Sequence, residues 1–178
     1  MNKIIDNVVR YLVRYYPESS ELNKTKLTKL VYLVDWKSAQ KYRKQVTNIN
    51  WKFDHYGPYV SDVIETVKAD KDLSINETYS AFGTAKYIIN SNIDKELLDY
   101  SSLTPLQISI IDEVILETKS LYWNDFIDHV YSTYPIVHSE RYSDLNLVNL
   151  AEEEISLLHN KHSQFVPVPS HPSTPSAG

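Results

Sequence analysis

Apolar residues along this chain recur mostly three and four positions apart, the spacing that gathers them on one face of an α-helix. The first such run covers residues 6–15, where Val8, Val9, Leu12 and Val13 follow Ile4 and Ile5, and Pro17 ends it. A second run, from about 26 to 44, spreads Leu27, Leu30, Val31, Leu33, Val34, Trp36 and Ala39 around most of the helical circumference. This helix is therefore predicted to be central, with Asn23 or Thr25 as its cap. At about 100° per residue, Lys26, Lys37, Lys41 and Lys44 fall within an arc of about 60°, which predicts one strongly positive stripe facing solvent or a partner.

The period changes at Trp51. Residues 51–56 alternate large aromatic with polar side chains, the pattern of a half-buried strand, and Gly57-Pro58 stops it. Pro58 is tolerated in a first helical turn, and Tyr59, Val60, Val63, Ile64 and Val67 recur at helical spacing, so a third helix is predicted up to Lys68. Two β-prone runs, 73–79 and 85–89, flank Phe82-Gly83 and predict a hairpin that joins the Trp51 strand in one small sheet. Thr104-Pro105-Leu106-Gln107 is a helix start, with Thr104 as cap, Pro105 at the first helical position and Gln107 closing a capping box. A helix over 123–134, ended by Pro135, follows, and residues 145–159 form the last, with Glu152, Glu153 and Glu154 opposite its apolar side. Beyond it, Pro167, Pro169, Pro172 and Pro175 exclude a regular helix or central strand. The fold class is accordingly mainly α: a compact bundle of about five to six helices with a small antiparallel β-sheet of two to three short strands. One domain is expected over residues 1–162 and a flexible Pro/Ser-rich tail over 163–178.

Composition narrows the function classes. A chain of 178 residues with 42% apolar content can build a core unaided, and the absence of cysteine removes disulfides, thiolate zinc sites and thiol nucleophiles together. No apolar run approaches the roughly 20 residues of a membrane span, so no membrane role and a cytoplasmic location are expected. Net charge is −5, against a general nucleic-acid binder, but it is unevenly spread. Between Lys24 and Lys52 eight basic residues face the single acid Asp35, whereas beyond Tyr87 thirteen acids face four bases. Such a dipolar chain can steer an oppositely charged partner.

Candidate chemistry is sparse. His55, His129, His138, His159 and His162 include one i, i+3 pair, His159 with His162, yet no carboxylate stands at matching spacing. Asp54-His55 imitates an orienting pair, but neighbours on a strand point to opposite faces. The three glycines, Gly57, Gly83 and Gly178, form no phosphate-cradling loop. No catalytic residue, metal or cofactor is assigned. The aromatic load says more: of fourteen Tyr and three Trp, several concentrate around the second helix and the strand. Trp36, Trp51 and Phe53 are expected in the core. Tyr56 and Tyr59, with His55, flank the Gly-Pro turn and are expected at a binding surface, where rigid rings with a polar handle are favoured. Lys37, Lys41 and Lys44 supply charge for an acidic partner.

Lys26-Leu27-Thr28-Lys29-Leu30-Val31-Tyr32, the strand ending in Tyr56-Gly57-Pro58, Leu103-Thr104-Pro105-Leu106-Gln107 and the Trp123 helix occur in an order that resembles the Panacea family, also called SocA-like or GepA-like. The resemblance spans about residues 4–151. It departs from the family pattern at Thr28, where Gln is frequent, and in its Pro-rich tail. The resemblance implies an antitoxin that neutralises a cognate toxin protein by direct contact, with a proteolytic adaptor that delivers the toxin to a protease as one mode and a protease or chaperone as the further partner. The alternatives are a nucleic-acid-binding regulator contacting phosphates through residues 26–44, or a phage or mobile-element protein acting against host defence.

Overall fold

The computed structural model describes residues 3–17, 19–80 and 83–163. Of the tail expected over 163–178, all but Ser163, which is helical, lies outside these, as do the Phe82 side of the hairpin turn and the His162 side chain. Helix α1 (Lys3–Tyr15) buries Ile5, Val8, Val9, Leu12 and Val13 on one face, as its spacing requires. Its polar side is held by Arg10, whose guanidinium donates to Asp70 at 2.7 and 2.8 Å and to Asp72 at 2.9 Å.

Helix α2 (Lys24–Tyr42) is the central element, buried on most of its circumference and packed against α1, α3, α4 and α7. Asn23 is its cap, accepting from the Lys26 backbone N–H at 2.9 Å. It stops at Tyr42, two residues short of the predicted end, because Arg43 turns left-handed (φ 54°) and returns its N–H to the Ala39 carbonyl. The carboxylate of Asp35 is fully buried in mid-helix. Burial pushes its pKa up, opposed by donors from Thr47 (backbone and hydroxyl), Trp51 Nε1 and Gln45. This cluster fastens the chain after α2 to the first strand.

Strand β1 (Trp51–Asp54) alternates as expected, Trp51 and Phe53 inward and Lys52 and Asp54 outward. It turns directly into β2 (Gly57–Tyr59), pairing Lys52 with Tyr59 and Asp54 with Gly57. The predicted placement of Pro58, Tyr59 and Val60 in a helix is therefore corrected: α3 (Asp62–Ala69) begins after them. Pro58 is tolerated here because β2 is an edge of the sheet, where the missing N–H need not complete a ladder. The sheet's other edge is β5 (Asp144–Leu145), two residues long, pairing Trp51 with Leu145.

The second hairpin, β3 (Leu73–Tyr79) and β4 (Ala85–Ser91), forms as predicted but does not join β1; it is a separate two-stranded sheet. A bridge between Asn23 and Ile88 and the Ile89 N–H to Leu22 carbonyl bond (2.9 Å) tie it instead to the segment before α2. Helix α4 (Pro105–Thr118) starts with the complete capping box of Thr104 and Gln107. Helix α5 (Trp123–Tyr131) ends before Pro135, which sits in the first turn of a further short helix, α6 (Tyr134–His138). Helix α7 (Leu147–Ser163) closes the bundle along α2. The described residues thus form seven α-helices with two small antiparallel sheets, a mainly α fold. Trp36, Trp51 and Phe53 all lie in its core.

Candidate functional site

Over about two turns of α2, Lys26, Lys29 and Tyr32 all point into the protein rather than to solvent. The expectation that Lys26 belongs to an outward basic stripe is therefore corrected. Its ammonium lies 3.3 Å from the Glu21 carboxylate and over the rings of Tyr16 and Phe126, which offset the cost of burial. Tyr32 meets Trp51 edge to face at 5.5 Å and shares a 2.8 Å hydrogen bond with the Thr133 hydroxyl. Lys29 has neither a carboxylate nor an exposed end. Its Nζ donates to the Tyr56 backbone carbonyl at 2.7 Å, and burial pushes its pKa down to about 8.

That bond anchors the β1–β2 turn, whose loop residues are His55 and Tyr56. Gly57 follows at φ 90°, and a Cβ there would sit 3.1 Å from the Tyr131 ring and 3.2 Å from Lys29 Nζ. Left-handed backbone and close approach together require glycine. With its backbone held from beneath, the turn presents its rings outward. Tyr56 is 75% exposed, Tyr59 46% and Tyr142, which joins the group from the segment before β5, 69%. The His55 ring stands perpendicular to Tyr56 at 4.5 Å, and its Nδ1 lies 3.2 Å from the Tyr142 hydroxyl. His55 is a turn residue and not a strand residue, and its backbone N–H donates to Asp54 Oδ1 at 2.7 Å.

Beside the turn, a cleft of about 550 Å³ opens between α2, β2 and α3. Lys24, Lys29 and Lys68 line it with a single acid, Asp54, and its walls include Tyr59 and Ile64.

The structure brings His55, Tyr56 and Tyr59 together and places the other three expected contact residues elsewhere. Lys37 and Lys41 lie eight and twelve residues beyond Lys29 on α2, about 12 and 18 Å along the axis. Both face α4: Lys41 lies 2.6 Å from the Glu113 carboxylate, and Lys37 bonds Glu117 and lies 3.9 Å from Glu113. Lys44 is exposed beyond the end of the helix. Sequence reading passed over Lys29, although a lysine among the apolar positions of a central helix was the available signal. It also passed over Tyr142, for which no local pattern exists. Among the described residues, no group of three or more His, Asp or Glu is arranged to hold a metal ion, and no helix is long and apolar enough to cross a membrane.

A family model described as Antitoxin SocA-like, Panacea domain, matches residues 27–135, from the first buried turn of α2 to the start of α6. No curated protein and no solved structure matches the chain.

Proposed function

The chain belongs to the SocA-like antitoxin family defined by the Panacea domain, and from that premise we propose that it neutralises a cognate toxin by direct protein contact through the β1–β2 turn. One observation carries the proposal: exposed rings of His55, Tyr56 and Tyr59 on the β1–β2 hairpin, joined by Tyr142 from the segment before β5, stand over a turn whose backbone is held by the buried Lys29. Rigid aromatic side chains give large contact area at small entropic cost, which is why they dominate binding hot spots. Lys37 and Lys41 are assigned a minor share, because Glu113 and Glu117 already offset their charge, and Lys44 a peripheral one. The same pairing speaks against a phosphate-binding face on α2, since Lys26 is buried and Arg43 bonds to the Gln40 carbonyl. The role is one of binding, with no reaction step assigned.

The test is co-expression with the cognate toxin. Replacing Tyr56 and Tyr59 together by alanine should leave circular dichroism unchanged and weaken toxin affinity by about 30-fold or more, as for the loss of two interface hot spots, with growth protection lost. Protection equal to the wild type would show that the turn is not the contact. Immunoblotting the toxin during rescue separates two modes: contact alone leaves its level unchanged, whereas delivery to a protease lowers it.

A further inference from the structure

We propose that the cleft between α2, β2 and α3 receives a carboxylate side chain from an acidic segment of the bound toxin, seated on the ammonium of Lys29. This rests on the assignment of the adjoining turn as the contact surface, and adds the chemistry that the partner must present.

Lys29 is only 4% exposed, and among the described residues its hydrogen-bonded partner is a backbone carbonyl, with the Tyr131 ring 5.9 Å from its Nζ. An ammonium carries three donors, so two are left to be satisfied from the cleft. The other lysines of α2 that reach into or across the bundle have found carboxylates within the chain: Lys26 has Glu21, Lys37 has Glu117 and Lys41 has Glu113. Lys29 has none. Lys68 and Lys24, whose ammonium lies over the Tyr87 ring at 4.0 Å, line the same cleft, so three positive side chains share it with one acid in a chain whose net charge is −5. That acid, Asp54, already accepts the His55 N–H. Like charges brought together around a desolvated ammonium are unfavourable until a counter-charge arrives, and an incoming carboxylate supplies it.

The walls define what accompanies the acid. Tyr59 and Ile64 offer apolar surface beside the lysines, which suits an acidic residue flanked by apolar ones. A nucleic-acid strand suits the cleft less well, because the chain's overall negative charge opposes a polyanion while admitting a single carboxylate. Burial already holds the Lys29 ammonium down near a pKa of about 8, and a seated carboxylate should move it back up.

The experiment uses the full chain labelled with [13Cε]lysine and an acetylated nonapeptide in which two adjacent glutamates are flanked by phenylalanine and leucine. Its twin has both glutamates replaced by glutamine, and a twelve-nucleotide DNA single strand is the third probe. Saturable movement of the Lys29 signal with the glutamate peptide, a rise of its titration midpoint by about one unit, and binding about tenfold weaker for the glutamine twin are expected. Lys68→Ala, at an exposed position, should weaken the peptide two- to threefold, about the share of one rim charge, without affecting the fold, so the outcome does not depend on the folding of Lys29→Met. Equal binding of the two peptides, absence of binding, or preference for the DNA strand would overturn the carboxylate seat. The two readings fail separately. Loss of neutralisation on replacing Tyr56 and Tyr59, with no peptide binding, removes only the seat. Peptide binding through Lys29, with neutralisation unaffected by those replacements, removes only the turn as the toxin contact.

Discussion

At the scale of single residues, the lysines of α2 show how little a residue's type says about its role. Lys26 and Lys29 stand three apart, both buried, yet one meets a carboxylate and two rings while the other meets a carbonyl and the Tyr131 ring. The difference has a measurable sign. Lys29 gives up its proton near pH 8 in the folded protein, whereas the unfolded chain holds it to about 10.5. Between those values the unfolded state binds more protons, so stability should rise with pH across this window as far as Lys29 is concerned. Lys29→Met abolishes that contribution. In urea unfolding at pH 7.5 and 9.5, the wild type should gain on the order of 1–2 kcal/mol relative to the Met variant. Parallel pH profiles for the two proteins would show that the ammonium is not desolvated. Periodicity sets Lys29 among the apolar positions of a central helix, but what its ammonium meets there is decided by what packs over it. The sequence does mark Lys29 as lying outside the basic arc.

At the scale of elements, what was legible follows the strength of the local pattern. α1, α2, the capping box of α4 and the β3–β4 hairpin are written in long periodic runs or in turn residues with a mechanism, and they form as read. β2 and β5 carry three and two residues, too few for any period to show, and Pro58 followed by apolar residues at helical spacing imitates a helix start. What decides in favour of the strand is tertiary: β1 offers its edge, and Lys29 captures the carbonyl of Tyr56. Gly57 is the hinge of that arrangement. Gly57→Ala should therefore destabilise by about 1–3 kcal/mol, from left-handed backbone strain and the contacts its Cβ would make with Tyr131 and Lys29. For a chain of this size that is a fall of about 2–4 °C in Tm per kcal/mol. Gly83 is the internal control, with a similar positive φ of 75° but nothing within 4 Å of a Cβ. Gly83→Ala should cost clearly less, and a larger loss there than at Gly57 would contradict the proposed anchoring of the turn.

At the scale of the whole molecule, the dipolar charge pattern of the sequence closes on itself. The basic segment around α2 lies against acids from far along the chain: Lys37 on Glu117, Lys41 on Glu113, and Gln40 on Glu154 of α7. Residues seventy or more positions apart leave no mark of their pairing in a single sequence, so a face read as a steering patch is in large part an internal seam. The same closure argues that the family-matched region is not the folding unit. Residues 27–135 contain most of α2 but neither α1 nor α7, and these pack on α2 from outside the match. Removing α1 would uncover the surface that Ile5, Val8, Val9, Tyr11, Leu12 and Val13 bury. At about 1.5–3 kcal/mol for each, that is about 9–18 kcal/mol, as much as the entire stability of a typical domain. Losing β5 and α7 adds Leu145, Leu147 and Ala151 to the deficit and strips β1 of one of its two neighbours. A fragment of residues 27–135 should accordingly lack a cooperative thermal transition, while residues 3–163 should melt as one unit near the full chain's Tm. A sharp melt of the shorter fragment would show that α1 and α7 are appendages, and the aromatic turn would then have to be held by the central residues alone.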